Sequence, residues 1–303
     1  MSLQPERDQG WRIWWQLTRP HTLTAAFVPV LLGTVLALDY SSLNWPMFLA
    51  MLLASILIQA ATNMINEYYD FVRGLDNEKS VGIGGAIVRN GVKPKTVLNL
   101  AFILFGVALL LGLYICANSS WWIAVIGLVC MAAAYFYTGG PVPIAYTPFG
   151  EITAGFFMGF VIILISFYIQ TGMVNAVAML VSIPVSILVG AILLANNIRD
   201  LDGDKENGRK TIAILLGRQK AIYLLAGMFT VSYGFVVVLV ITGTVSPWLL
   251  ISLFSIPKAV RATKGFIGKT MPIQMMPAMK ATAQTNTIFG FLLSIGYLIG
   301  YFF

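Results

Sequence analysis

Charge is scarce in this chain. Asp, Glu, Lys and Arg make up 10% of its 303 residues, against roughly 25% in a soluble globular domain. Together with 58% hydrophobic residues, that shortage excludes an ordinary soluble enzyme and a disordered segment. There are two cysteines and one histidine. So few exclude a disulfide framework and a His/Cys zinc site. Cys116 and Cys130 fall in apolar stretches without ligand spacing and read as small core residues. Low-complexity sequence is also missing, as is any soluble stretch long enough to fold alone. The expectation is one membrane-embedded domain over residues 1–303. No cleavable signal peptide is expected: a charged amphipathic stretch precedes the first apolar run, and no small-residue cleavage site follows it.

What is present is a series of apolar blocks, each about 17–22 residues long, the length that crosses a bilayer as a helix. They predict an all-α integral membrane protein, a bundle of nine transmembrane helices with cytoplasmic cap loops. The spans are expected near 22–38, 47–65, 97–117, 121–137, 150–170, 176–195, 221–242, 246–260 and 284–303. The eighth is the weakest, bracketed by Pro247 and Pro257 and followed by Lys258, Arg261 and Lys264.

The cations test this count. All 19 Lys and Arg fall within 7–19, 73–95, 199–220 and 258–280. With nine spans these segments share one side, and the opposite connections 39–46, 118–120, 171–175 and 243–245 hold none. The positive-inside rule then places the N-terminus in the cytoplasm and the C-terminus outside. The net charge of +7 is therefore topological, and no nucleic-acid partner is expected, because acidic motifs and apolar spans break up the basic loops.

Two short acidic segments carry the chemistry: Asn63-Met-Ile-Asn66-Glu67-Tyr68-Tyr69-Asp70 and Asn196-Asn197-Ile198-Arg199-Asp200-Leu201-Asp202-Gly203-Asp204. Each holds Asn-x-x-x-Asp, and residues four apart share a helix face. Acids at the end of a membrane span are expensive and mark function. Oxygen ligands that leave room for substrate phosphates suit Mg²⁺. Asn66, Asp70, Asn196, Asp200 and Asp204 are the candidate ligands, and two facing clusters would hold a diphosphate between magnesium ions. Asp202 lies about 200° from Asp200 on an ideal helix and ranks below Asp204. The spacing between the motifs fits an internal repeat of two helical units, and also fits coincidence in a small pattern.

The following loops supply cations. Lys79, Arg89, Lys205 and Lys210 are read as functional, since cations aimed at a diphosphate leaving group lower the barrier to its departure. Arg218, Lys93 and Lys95 are read as topology signals. Gly82–Gly85 brings backbone N–H groups near phosphate or forms a flexible turn; without GxxxxGK[ST] it is no nucleotide P-loop.

These motifs resemble the UbiA superfamily of intramembrane aromatic prenyltransferases, over nearly the whole chain. The residues that carry the resemblance are Arg19-Pro20-His21-Thr22-Leu23, Asn66 to Phe71 with Gly74 and Asp76, Tyr137-Thr138-Gly139-Gly140-Pro141, Gly150-Glu151-Ile152, and Asn196 to Asp200 with Asp204 and Lys210-Thr211. Within the superfamily they are most similar to members acting on 1,4-dihydroxy-2-naphthoate in menaquinone biosynthesis. Glu67 stands where Asp is usual, which argues against a 4-hydroxybenzoate enzyme and leaves its own role open.

The resemblance implies a Mg²⁺-dependent enzyme in the bacterial cell membrane, with the active-site loops cytoplasmic. Its substrates would be a polyprenyl diphosphate and dihydroxynaphthoate. It implies Asp70, Asp200, Arg89, Lys79 and Tyr137 as catalytic. Asn63, Tyr68, Tyr69, Asn197, Arg199, Lys205 and Lys210 would bind substrate. Ionisation would give an allylic cation, which aromatic faces of Tyr68, Tyr69 or Tyr137 stabilise. The ring carbon attacks it, CO₂ is lost, and the lipid tail lies along apolar helices. His21 is read as an interface or packing residue rather than a catalytic base, and Gly155-x-x-x-Gly159 as a close-packing site; for Glu151, capping and substrate contact both stay open. The alternatives are another prenyltransferase of the superfamily, of 4-hydroxybenzoate, haem O or chlorophyll type, and an ion-coupled transporter. A transporter's acids would lie near the bilayer midplane.

Overall fold

A computed structural model describes residues 10–76 and 85–303, with His21 described in its backbone only. Lys79 and Gly82–Gly84 therefore lie outside the described residues. The described chain is helical, with no strand. A short helix α1 (Trp11–Leu17) precedes α2 (Pro20–Leu36), α3 (Trp45–Val72), α4 (Pro94–Asn118) and α5 (Trp122–Thr138). Then come α6 (Gly150–Thr171), α7 (Ala176–Glu206), α8 (Ile212–Leu216) and α9 (Arg218–Ile241). A 3₁₀ helix (Pro247–Ser255), α10 (Ile256–Phe266) and α11 (Pro272–Phe302) finish the chain.

Local chemistry sets these ends. Asn44 caps α3 by accepting the Met47 N–H, and Asn175 caps α7 by accepting the Ala178 N–H. Prolines at the first turn open α2, α3, α4 and α11, where a missing N–H costs nothing. Gly172, at φ 73, ends α6 in the left-handed conformation.

Among the described residues seven helices are long and apolar enough to cross a membrane: those beginning at Thr22, Trp45, Pro94, Gly150, Ala176, Arg218 and Pro272. The two remaining expected spans take shorter forms. The fourth is α5, which is apolar but shorter. The eighth is broken into the 3₁₀ stretch and α10, because Pro257 lacks an amide hydrogen and the Ser252 and Ser255 hydroxyls bond carbonyls three residues back. Both motif helices run further than their apolar runs: α3 continues to Val72 and α7 to Glu206. Residues 272–280, expected in a basic loop, are also helical, opened by Pro272.

Exposed Trp11, Trp14 and Trp15 mark one rim of the molecule, and exposed Trp45, Trp121, Trp122 and Trp248 mark the other. Aromatic belts at both interfaces do the same in membrane proteins. Between the rims, α4, α5 and α9 expose Ile103, Leu110, Val125, Leu128, Val231 and Val238. The main core surrounds α7, where Val185, Leu188, Leu194 and Ile198 meet α2, α9 and α11. In lipid, association rests on close packing. At Gly155 and Gly159, in a π-helical stretch of α6, an added Cβ would lie 2.5 and 2.4 Å from Ser186 of α7. That contact brings α6 and α7 together and leaves a cavity of about 330 Å³ bounded by α2 through α7.

Candidate active site

The last turns of α3 and α7 present the two acidic motifs to one another. Asp204 is buried, as the helical-face argument requires, since α7 continues unbroken through Gly203. Asp202 points away, 70% exposed, and pairs with Arg218 at 2.6 Å. Arg218 also donates to the Ile198 carbonyl, which anchors the start of α9 to α7.

Arg209 joins the motifs. Its guanidinium bridges Asp70 of α3 at 2.9 Å and Asp204 of α7 at 3.1 Å. It stacks over Tyr146, 4.9 Å from the ring centroid. Gly208, at φ 76, turns the chain just after α7 so that Arg209 faces inward. Its neighbours Lys205 and Lys210 face outward and are exposed; Lys210 contributes its backbone N–H to the Tyr146 carbonyl. Residues 205–210 thus hold three cations, of which the sequence reading favoured the two exposed ones.

Asp200 is held by its neighbour Arg199, through two hydrogen bonds at 2.7 and 2.5 Å. Arg199 is buried, with its third nitrogen 2.7 Å from the Met279 sulfur of α11. Asn66 accepts a hydrogen bond from the Thr138 hydroxyl, and Arg73 donates to the Thr138 and Gly140 carbonyls. The end of α3 is therefore tied to the turn after α5. Asn63 is buried and donates to the Thr18 carbonyl and Thr22 hydroxyl, fixing α3 to the start of α2. Asn197 donates to Glu151 at 2.8 Å, linking the second motif to the first turn of α6.

The aromatic candidates separate. Tyr137 lines the cavity. Tyr69 has its hydroxyl 2.8 Å from that of Tyr135 and its ring beneath Arg73. Tyr68 packs edge-on against Tyr69. Arg89 folds back over its own turn, where a Cβ on Gly85 would lie 2.2 Å from its Nε.

Glu67 is buried, and one of its oxygens accepts the N–H groups of Gly85 and Ile87, each at 3.1 Å. Its place in the motif goes to holding the 85–87 segment against α3. That role requires a partner eighteen residues downstream, which no local pattern announces.

Arg19 is the one described non-glycine residue in the left-handed region, at φ 52. Pro20 after it disfavours the α region. Its Nε is buried without a partner, and the residue lines the cavity together with Asn63, Asn66 and Asn196. A strained residue at a polar cavity mouth points to a functional constraint. Arg19, Arg73 and Arg209 are the cations whose charge acts on Asp70.

A divalent cation fits this donor set. The candidate ligands offer oxygens, and Asp204 keeps one buried carboxylate oxygen without a partner. Asp76 lies just beyond α3; burial first, then the nearby Asp70 charge, pushes its carboxyl up to about 6. Among the described residues no three His, Cys, Asp or Glu side chains form one metal cluster. The carboxylates are divided between the motifs, so each ion would need further oxygens, as Mg²⁺ sites take from substrate phosphates.

The UbiA prenyltransferase family pattern matches residues 26–267. The chain is 62% identical over 298 residues to the 1,4-dihydroxy-2-naphthoate octaprenyltransferase of Bacillus subtilis, covering 98% of this chain and 96% of that one. It is 31% identical to the Mycobacterium tuberculosis protein of the same name, over 82% and 84% of the two chains. A UbiA homologue from Archaeoglobus fulgidus, solved bound to GPP and Mg²⁺, shares the fold with a TM-score of 0.64 at 15% identity, covering 93% of this chain and 99% of that one.

Proposed function

This chain belongs to the UbiA prenyltransferase family, and from that membership we propose its reaction and the work of its residues. It is an integral membrane enzyme that transfers a polyprenyl chain from polyprenyl diphosphate to 1,4-dihydroxy-2-naphthoate. The C–O bond of the donor breaks, and diphosphate leaves with the electron pair. The acceptor's ring carbon forms the new C–C bond, and its carboxylate departs as CO₂, returning its electron pair to the ring. The product is demethylmenaquinol.

One observation carries the reading: two acidic motifs from separate helices meet at the polar mouth of an apolar cavity. Asn66, Asp70, Asn196, Asp200 and Asp204 would hold Mg²⁺, which supplies charge to neutralise the departing diphosphate. Thr138 and Arg73 hold Asn66 in place, and Glu151 holds Asn197. Tyr137 presents its ring to the cavity, where an aromatic face steadies the allylic cation. The prenyl tail lies between α4 and α5. Leu109, Leu113 and Leu128 line the cavity there and are themselves exposed to the bilayer.

The cations lie toward the Trp11 rim, so the active site opens to the cytoplasm and the C-terminus lies outside. The test is incubation of the purified protein with Mg²⁺, a prenyl diphosphate and either dihydroxynaphthoate or 4-hydroxybenzoate, with products identified by mass. We expect a decarboxylated prenyl naphthoquinol from the first and no product from the second. A prenylated 4-hydroxybenzoate alone would reject the assignment.

A further inference from the structure

Arg209 occupies the place that the reading above gives to a metal ion. Its salt bridges to Asp70 and Asp204 are the described ion pairs that connect the two motifs. The side chain is 13% exposed, its Nε is buried with no partner, and Asp204 keeps an unpaired buried oxygen beside it. A buried charge with an unused donor is an expensive arrangement. It is understandable if the guanidinium has a second use.

We propose that Arg209 is a resident stand-in for the divalent cation and that it makes metal binding and diphosphate binding depend on each other. The inference rests on the reading that the two motifs bind diphosphate with a divalent ion. A metal approaching the substrate-free site must compete with the guanidinium for Asp70 and Asp204, and the two cations repel. An arriving diphosphate changes this. Its oxygens match the planar fork of an arginine, so it draws Arg209 off the carboxylates while offering ligands to the metal. Each ligand then improves the site for the other, and by linkage the gain is equal in both directions.

The surroundings suit a side-chain movement. The Arg209 N–H is bonded to the Asp204 carbonyl at 3.0 Å, and the Lys210 N–H to the Tyr146 carbonyl at 2.8 Å, so the backbone is held on both sides. The Tyr146 ring provides a surface along which the guanidinium slides without losing its cation–π contact.

The experiment measures Mn²⁺ affinity of the full-length purified protein by electron paramagnetic resonance, with and without inorganic diphosphate. In the unaltered protein diphosphate should tighten Mn²⁺ binding by about tenfold or more, within the usual range of coupling between sites. Arg209→Ala should tighten Mn²⁺ binding without diphosphate by about tenfold and shrink the diphosphate effect to less than about threefold, since competitor and coupler vanish together. Arg209→Lys keeps a point charge without the fork. It should leave Mn²⁺ affinity alone near the original value and still lose most of the coupling, and it stands in if the alanine variant does not fold. Lys220→Ala removes an exposed cation of the same rim and should change neither quantity. If the folded Arg209→Ala protein binds Mn²⁺ as before, with coupling intact, the stand-in role is wrong while the metal reading survives. If the unaltered protein binds no Mn²⁺ even with diphosphate, both fall.

Discussion

Asp202 and Asp204 are two residues apart on one helix, and their replacement should have opposite consequences. Asp204 has a side chain 9% exposed, a salt bridge to Arg209, and a buried oxygen without a hydrogen-bond partner. In the proposed reaction Asp204→Ala removes charge that holds metal and diphosphate, and turnover should fall by at least about a hundredfold, the scale of one lost transition-state contact. Asp202 has a 70% exposed side chain whose partner is Arg218. An exposed pair of that kind contributes about 0–1 kcal/mol, and Arg218 keeps the Ile198 carbonyl when Asp202 is gone. Asp202→Ala should therefore keep turnover within about threefold of the original and lower stability by less than about 1 kcal/mol. The assay is initial-rate kinetics in lipid nanodiscs, with thermal unfolding beside it. Asp204→Asn separates loss of charge from loss of packing. It keeps the volume and an acceptor for Arg209, so it should unfold near the original temperature while remaining inactive. Equal damage from the two alanine variants, both folded, would mean that the two faces of α7 are not distinguished, and the ligand assignment built on them would fail.

Glu67→Ala leaves the buried Ile87 N–H unpaired, at about 1–3 kcal/mol for a buried donor, and strips the partly buried Gly85 N–H of its partner, whereas Glu67→Gln keeps an acceptor; a lowered unfolding temperature is expected for the first and a near-normal one for the second. Thr138→Val should raise the Mn²⁺ concentration needed for half-maximal activity, because Asn66 loses the bond that orients it, and Thr138→Ser should restore it. Gly127 lines the cavity, with nothing within 4 Å of an added Cβ; Gly127→Leu should raise KM for long prenyl diphosphates and spare geranyl diphosphate, and equal KM changes for both would show that the tail lies elsewhere. A cysteine at Asn207 should react with a membrane-impermeant reagent only from the cytoplasm, and one at Thr242 only from outside; labelling of both from one side would overturn the orientation.

Apolar runs and motif spacing were readable because each depends on nearby residues. The fourfold spacing of Asn66 and Asp70 survives as a shared face because α3 continues to Val72, and Asp204 and Asp202 fall on a buried and an exposed side because α7 continues to Glu206. What escaped depends on distant partners. Arg209 meets Asp70 across 139 residues, and nothing in Lys205-Glu206-Asn207-Gly208-Arg209-Lys210 says which cation turns inward; the left-handed Gly208 decides it. The role of Glu67 was left open by its sequence, and its partners are backbone N–H groups of a separate segment. The eighth span had its prolines in plain view, yet the change from α to 3₁₀ pitch also needed Ser252 and Ser255 to bond back along the chain.

The polar mouth set above a cavity with an open flank has a bearing on how a turnover ends. Both substrates reach the mouth as anions, one through its diphosphate and the other through its carboxylate. The reaction discards both anionic groups, one into water as diphosphate and one as a dissolved gas. What remains is a neutral, greasy molecule that keeps its two ring hydroxyls but carries no charge for the arginines to hold. Its most favourable direction is along the flank between α4 and α5, into the leaflet. The chemistry thus loosens its own hold: the event that joins ring to tail also cuts the charged moorings.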